Sequence, residues 1–400
     1  MNSLRDNRQY LLPSGLAVAI AGVLASPILY AQEANITELD AIEVSADAAE
    51  PSGTAPSDGY TAEATVTGTK TTTNVVETPQ SISTVTADQI EDQNASNLSE
   101  VLRYTAGARG ETFGFEPRTT FLRIRGFDVA TSGLFRDNLK LANPGFAAGY
   151  SLEPYGAERI DVLKGPSSVL YGQAGPGGLV NYVSKRPTFD TRREVRVESG
   201  TNDLVQGQFD ISGAVNDSDT LAVRLVGLVR DSETQVDFVN DDRKYLAPSL
   251  TWQPTDATRL TVLAHWQYDD TQPSQRYPLQ GTLEPNPNGP IPDNRFTGEP
   301  GYDAYERRES AIGYEFEHRI NDQIVLRQNV RDYRNDVDDQ TIYTTGLLAD
   351  QRTITRSRFD SFGRIDGLAM DNQLQLSAQT GAAEHTVLSL IHISEPTRPY

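Results

Sequence analysis

Few residues in this chain are spaced for chemistry. A zinc ion would need paired ligands, yet His265, His318, His385 and His392 are scattered and cysteine is absent, which excludes Cys-based zinc and iron–sulfur sites. Acyl transfer would need a nucleophile elbow, and no Gly-x-Ser-x-Gly occurs. The run from Gly172 to Gly178 invites a phosphate-loop reading, but no Gly-Lys-Ser/Thr ends it and no helical pattern follows. Tight backbone turns explain these glycines better. No group of residues proposes catalysis, a resident metal or a cofactor. The remaining chemistry is binding, by aromatic and cationic side chains set among Gly- and Pro-rich turns.

Composition narrows the partners. The 400 residues carry 35 Lys and Arg against 55 Asp and Glu, a formal net charge of −20. A chain of pI near 4.6 repels phosphate backbones, which argues against nucleic acid. Mean hydropathy is −0.47, and the only long apolar run lies at the N-terminus, so a polytopic helical membrane protein is excluded. A transmembrane β-barrel is not, because its strands alternate apolar and polar residues and average out as hydrophilic.

The N-terminus reads as an export address. Arg5 and Arg8 precede an apolar stretch from Leu11 to Tyr30, and Ala31 stands before Gln32 and Glu33, which predicts a signal peptide over residues 1–31. Pro13, Gly15, Gly22 and Pro27 would make a poor permanent anchor helix. Residues 32–70 are rich in Ala, Glu, Asp, Ser, Thr, Pro and Gly, a composition that predicts a flexible tether. Within it, Ile42 and Val44 alternate with polar neighbours. They are either a random apolar pair or an edge strand waiting to join another protein's sheet.

Residues 71–187 predict a small α/β domain. Short strands are expected at Ser81 to Thr86, Phe121 to Ile124, Arg159 to Lys164 and Leu179 to Ser184. One helix is expected from Ala87 or Asp88 through Tyr104, with Asp88 able to cap it and Ile90, Leu98, Val101 and Leu102 on one face. From Glu194 the period becomes two. Val205, Gly207, Phe209, Ile211 and Gly213 alternate with polar residues, and Leu260, Val262, Ala264, Trp266 and Tyr268 do the same. Turns near 216–219 and 253–256 are short, whereas residues 271–306 form a long segment rich in Pro, Gly and Asn. Short turns on one side and long loops on the other suit an outer-membrane barrel. A soluble β-sandwich shows the same alternation. Pro248 cannot donate to a ladder and predicts a local irregularity.

Several motifs fix the family. Glu77-Thr78-Pro79-Gln80-Ser81-Ile82-Ser83, Leu102-Arg103-Tyr104-Thr105-Ala106-Gly107 and Arg123-Ile124-Arg125-Gly126-Phe127 resemble the plug domain of TonB-dependent siderophore receptors. So do Glu153 to Pro166 (EPYGAERIDVLKGP) and Ser167 to Asn181 (SSVLYGQAGPGGLVN). The resemblance implies an α+β plug domain inside an antiparallel transmembrane β-barrel of about 22 strands. Roughly nine or ten of those strands are readable here from the period of two, over residues 188–387. Leu388 to Tyr400 (LSLIHISEPTRPY) resembles translated sequencing-adapter read-through and is set aside as a non-native tail.

The same resemblance implies a function. The apolar island becomes the TonB box, Asp40, Ala41, Ile42, Glu43, Val44 and Ser45, with TonB as partner, driven by ExbB and ExbD. The spacer before the plug is too short for an extra signalling domain. The expected place is the outer membrane of a Gram-negative bacterium, in contact with its lipid. Iron would arrive wrapped in its siderophore, as cargo with no direct protein ligands. Phe113, Phe115, Arg118, Phe146 and Tyr150 are the expected siderophore contacts, on outward plug loops. Arg125 and Lys164 match positions where relatives hold basic side chains against glutamates of the barrel wall. Ferrichrome-binding relatives place an Arg where this chain has Phe113, which argues against ferrichrome itself. The wording of residues 225–232 and 235–239 still resembles the hydroxamate-type branch. A receptor for another nutrient, such as cobalamin or a glycan, and a passive porin-like barrel stay open as alternatives.

Overall fold

The computed structural model describes residues 53–145, 148–215, 219–273 and 276–396. The expected signal peptide and the Asp40 to Ser45 segment lie outside the described residues. In chain order, the first domain holds β1 (Ala64–Thr65), β2 (Thr73–Asn74), β3 (Ser81–Thr86), α1 (Ala87–Asp92), α2 (Leu98–Val101), β4 (Ala108–Arg109), β5 (Arg123–Ile124) and β6 (Phe127–Asp128). It continues with β7 (Leu134–Arg136), β8 (Leu139–Lys140), β9 (Ala157–Lys164), α3 (Ser168–Tyr171) and β10 (Gly178–Ser184). Five strands form its central sheet in the order β3-β9-β10-β7-β8, with β7 and β10 parallel.

The long runs Ile160 to Leu163 and Leu179 to Val183 are covered on both faces, as a doubly buried strand pair requires. Val85, Ile90, Leu98, Val101, Leu122, Ile124, Ile160, Val162 and Val180 pack into one core. A Cβ at Gly178 would stand 1.9 Å from the Leu163 carbonyl oxygen. Only glycine lets β10 start so close to β9, which accounts for the last glycine of the Gly172–Gly178 run.

Three expectations fail in this domain. The single helix over 87–104 is split. Asn94 adopts a left-handed φ of 46°, and Asn97 begins a new helix by accepting from the Glu100 amide at 3.0 Å. The Glu100 carboxylate reaches back to the Ser96 amide at 2.8 Å, a variant of the capping box. Nor does Asp88 cap α1. Thr86 does, accepting from the Gln89 amide, while Asp88 accepts from Gly59. Residues 53–70, expected as tether, are part of the domain. The Thr65 and Thr67 hydroxyls donate to the buried Asp161 carboxylate at 2.8 and 2.5 Å, and the Tyr171 hydroxyl donates to the Thr67 carbonyl at 2.8 Å. Polar satisfaction of one buried carboxylate orders a stretch whose composition carries little apolar drive.

The second region is a nine-stranded antiparallel meander of β11 (Arg192–Ser199), β12 (Val205–Ala214), β13 (Leu221–Asp231), β14 (Asp241–Thr255) and β15 (Thr258–Thr271). β16 (Ala304–Asn321), β17 (Ile324–Leu347), β18 (Ile354–Thr380) and β19 (Ala383–Pro396) complete it. At one end the connections 256–257, 322–323 and 381–382 are tight. At the other end lie the longer connections 200–204, 232–240, 272–303 and 348–353.

The face turned to the first domain is polar, with buried Gln206, Gln208, Asp210, Arg224, Arg243, Gln267, Glu309, Arg331 and Asp371. The opposite face exposes Val195, Val197, Ile211, Leu225, Val229, Leu246, Trp252 and Trp266. Apolar outside and polar inside is the pattern of a membrane wall and the reverse of a soluble sandwich. At Pro248 the β14–β15 ladder opens: pairing runs to Leu246 opposite Trp266 and resumes at Ser249 opposite Leu263. The tail behaves otherwise than expected, since residues 388–396 continue β19 in register with β18. Val387, Ile391 and Ile393 stay on the outer face, and any extended segment with that period can add to an open edge.

Candidate functional site

The interface between the two regions joins two apolar clusters, Leu139 and Ala148 against Tyr305, Tyr333, Val337, Ile365 and Ala369, and Tyr155 against Val226, Leu228 and Tyr245, with an extended seam of charge. Asp137 and Asn138 form the two-residue loop of the β7–β8 hairpin, with φ of 50° and 64°, the geometry of a type I′ turn. That turn carries the Asp137 carboxylate to the wall, where Arg331 of β17 donates to it at 2.8 Å. Arg186, just past β10, reaches the same carboxylate at 3.2 Å and Glu315 of β16 at 2.6 Å. Burial alone would raise the Asp137 carboxyl, but Arg186, Arg331 and Arg136 together hold it below its usual value.

The seam continues in both directions. Lys185 meets Asp210 of β12 at 3.1 Å. Arg224 of β13 bridges Asp210 at 2.6 Å and Glu158 at 3.2 Å. Glu153 caps the turn at Pro154–Gly156 with one carboxylate oxygen and accepts from Arg243 of β14 at 2.9 Å with the other. At the far side Lys70 pairs with Asp371 of β18 at 2.9 Å and donates to the Asn138 carbonyl at 3.0 Å. Burial pulls the Lys70 ammonium below its usual value, and Asp371 offsets part of that shift. Buried pairs of this kind add little net stability when intact, yet removing one partner costs about 3–5 kcal/mol. Both faces of such a seam can be rehydrated once parted, which an apolar interface resists.

The expected ligand contacts are not one set. Phe113 is 70% exposed, edge-on to Phe121 at 5.0 Å. Phe115 is half-buried and lines a polar groove of about 580 Å³ between α1, α2 and β11–β13. Phe146 lies outside the described residues. Two placements differ from the expected outward loop. Arg118 is buried, held by both oxygens of Glu116 at 2.8 Å and facing Asp339 of β17 at 3.4 Å; its cation is already matched. Tyr150 is fully buried within the core of the first domain. Arg125 and Lys164 flank Gly107. Neither has an ion-pair partner among the described residues, and burial followed by the nearby Arg125 lowers the Lys164 ammonium.

Sequence reasoning missed the seam itself. Its signal was present on β12, where Asp210 shares a polar phase with Gln206, Gln208 and Ser212, but was weak on β13, where Arg224 shares its phase with Ala222, Val226 and Leu228. Charge at inward positions of a barrel strand reads equally well as lumen lining, and only the packed domain separates the two.

A small α/β domain fastened by charge to the polar face of an outwardly apolar antiparallel sheet defines a plugged outer-membrane wall. The comparisons agree. Residues 74–179 match the TonB-dependent receptor plug domain. The ferrioxamine B receptor of Salmonella typhimurium (strain LT2) is 35% identical over 323 residues, covering 80% of this chain and 46% of that protein. The ferrichrome outer membrane transporter/phage receptor of Escherichia coli (strain K12) is 34% identical over 400 aligned residues, 94% of this chain and 53% of that protein. In fold, the ferripyoverdine receptor of Pseudomonas aeruginosa bound to ferripyoverdine superposes with a TM-score of 0.76 at 22% identity, covering 84% of this chain and 44% of that one. The chain therefore belongs to the TonB-dependent receptor family, whose place is the outer membrane of Gram-negative bacteria. It spans about half the length of the curated relatives it matches.

Proposed function

We propose that this chain is part of a receptor that binds a ferric siderophore of hydroxamate type and imports it through the outer membrane. TonB supplies the force at Asp40 to Ser45, with ExbB and ExbD drawing on the inner-membrane gradient. The observation that carries this reading is the ionic seam from Lys70–Asp371 through Asp137–Arg331 to Glu153–Arg243. A domain held by matched charge closes the wall at rest and can still be displaced and rehydrated, which suits a gated importer better than a passive pore. The names of the Salmonella and Escherichia relatives support a hydroxamate cargo. Arg125 and Lys164 act as further plug anchors, to carboxylates on wall strands beyond those described.

The test uses cells that lack other iron uptake and carry the complete receptor. Ferric hydroxamate labelled with radioiron should accumulate only with TonB and the gradient. Deleting residues 40–45 should abolish accumulation and leave surface binding intact. Accumulation without TonB would show a passive pore, and growth rescue by cobalamin or a glycan alone would show a different cargo.

A further inference from the structure

The outward face of the wall is apolar but not smooth. Across β12 to β15 it carries a groove of about 590 Å³. Gly213, Pro248 and Ala264 leave it open where Ile211, Leu225 and Leu250 stand beside them. These residues share one face by register: Ile211 opposes Leu225, Leu225 opposes Pro248, and Gly213 opposes Val223. The β14–β15 ladder is interrupted at the same place, beside Pro248.

One end of the groove is charged. Arg193 of β11 opposes Ile211 and lines the groove. It is exposed and has no ion-pair partner among the described residues. Its neighbour Arg192 serves the other face, pairing with Asp210 at 3.1 Å. From β11 to β14 the groove deepens, Pro248 being the eighth residue of β14 from the tight-turn end, and at β15 it levels off. Counted from the tight-turn end, Arg193 is the second residue of β11, Ile211 the fourth of β12, Leu225 the fifth of β13 and Ala264 the seventh of β15. With tight turns on the periplasmic side, the groove runs from the membrane rim at Arg193 toward the bilayer middle at Ala264.

We propose that this groove seats an anionic phospholipid of the periplasmic leaflet, its phosphate on Arg193 and one acyl chain along Gly213, Pro248 and Ala264. A guanidinium is matched to phosphate in charge and in its paired donors. A chain lying in a groove gains contacts on its flanks that a chain on a flat wall lacks. The cation and the notch are independent features, and they meet at the depth where a headgroup gives way to its chain.

The complete receptor is reconstituted in dioleoyl phosphatidylcholine bilayers and titrated with brominated phosphatidylglycerol or brominated phosphatidylcholine. Trp252 and Trp266 lie on the same outer face, 46% and 43% exposed, and bromine quenches indole fluorescence on contact. The part of the signal lost in Trp266→Phe isolates the groove. The wild type should be quenched by phosphatidylglycerol with about fivefold preference, the effect of one cation at a lipid surface. Arg193→Gln should bring that preference to one and leave quenching by phosphatidylcholine unchanged. Gly213→Leu should weaken quenching by both lipids; a Cβ there meets only Thr191, at 3.6 Å, so the variant folds. Equal quenching by the two lipids in the wild type, a preference that survives Arg193→Gln, or a second receptor copy found on this face by native mass spectrometry would each overturn the proposal.

Discussion

The β9–β10 pair of the plug and the β12–β13 pair of the wall are both antiparallel and both rich in Val, Leu and Ile, yet they are stabilised in opposite senses. In the plug, Ile160, Val162 and Val180 are buried against one another and water is excluded. In the wall, Ile211, Leu225 and Val229 face outward, and the buried positions set Gln208, Asp210, Arg224 and Arg230 among Ala222, Val226 and Leu228. Burial in the plug is hydrophobic in origin. In the wall the hydrocarbon of the bilayer satisfies the outward apolar residues, so the inner face, beside its apolar clusters, must also match charge.

The largest way to break this contrast is at the seam. Asp137→Ala leaves Arg331 without its carboxylate, while Arg186 keeps Glu315, and should cost about 3–5 kcal/mol of plug docking. Amide exchange across residues 134–140 in the complete receptor reads it, and a loss below about 1 kcal/mol would mean the seam is already hydrated. The pH dependence has a definite sign. The docked carboxyl lies below the usual 3.8 of an aspartate, so its contribution is present above that value and is lost as pH falls through the docked pKa. Acid, not base, should loosen the β7–β8 turn.

A second experiment sharpens the contrast with two truncations of aliphatic residues. Ile160→Ala removes a fully buried side chain and should cost about 2–5 kcal/mol in denaturant unfolding of the plug. Val229→Ala removes a side chain that is 56% exposed on the outer face, where lipid is as apolar as the residue it touches, and should cost less than about 0.5 kcal/mol. Similar losses at both positions would mean that the outer face is packed against protein.

The same contrast explains what the sequence disclosed. Strands β3, β9 and β10 and the meander from β11 onward were legible, because a period of two and doubly buried runs are properties of the chain alone. The open ladder at Pro248 followed from a missing N–H. The break between α1 and α2 was hidden, since Ile90, Leu98 and Val101 keep a helical phase through Asn94, and a left-handed residue leaves no mark in that pattern. Residues 53–70 were misread as tether because their order comes from Asp161, about a hundred positions away. Arg118 and Tyr150 were recognisable as binding residue types, but type does not give direction. Arg118 turns to Glu116 and Asp339, and Tyr150 turns into the core.

Phe113 offers the smallest expected change in stability and the finest test of how plug and wall divide their work. Its ring is mostly exposed, touches Phe121 edge-on and lies 5.9 Å from the Arg123 guanidinium. Such contacts at an exposed site contribute about 0.5–1 kcal/mol, so Phe113→Ala should shift plug unfolding by no more than that. If the exposed ring forms part of a ligand shell, as its position on an outer plug turn implies, the substitution should still weaken binding of a ferric hydroxamate by about tenfold, roughly 1.4 kcal/mol. Arg118→Ala should do the reverse. It removes the cation that Glu116 and Asp339 share and loosens the plug, with any effect on ligand following from that loss. Titration of both variants alongside amide exchange separates the cases. A Phe113→Ala receptor that binds as the wild type does would remove this ring from the ligand site and leave Phe115 and Tyr155, which line the groove, as the described aromatic candidates.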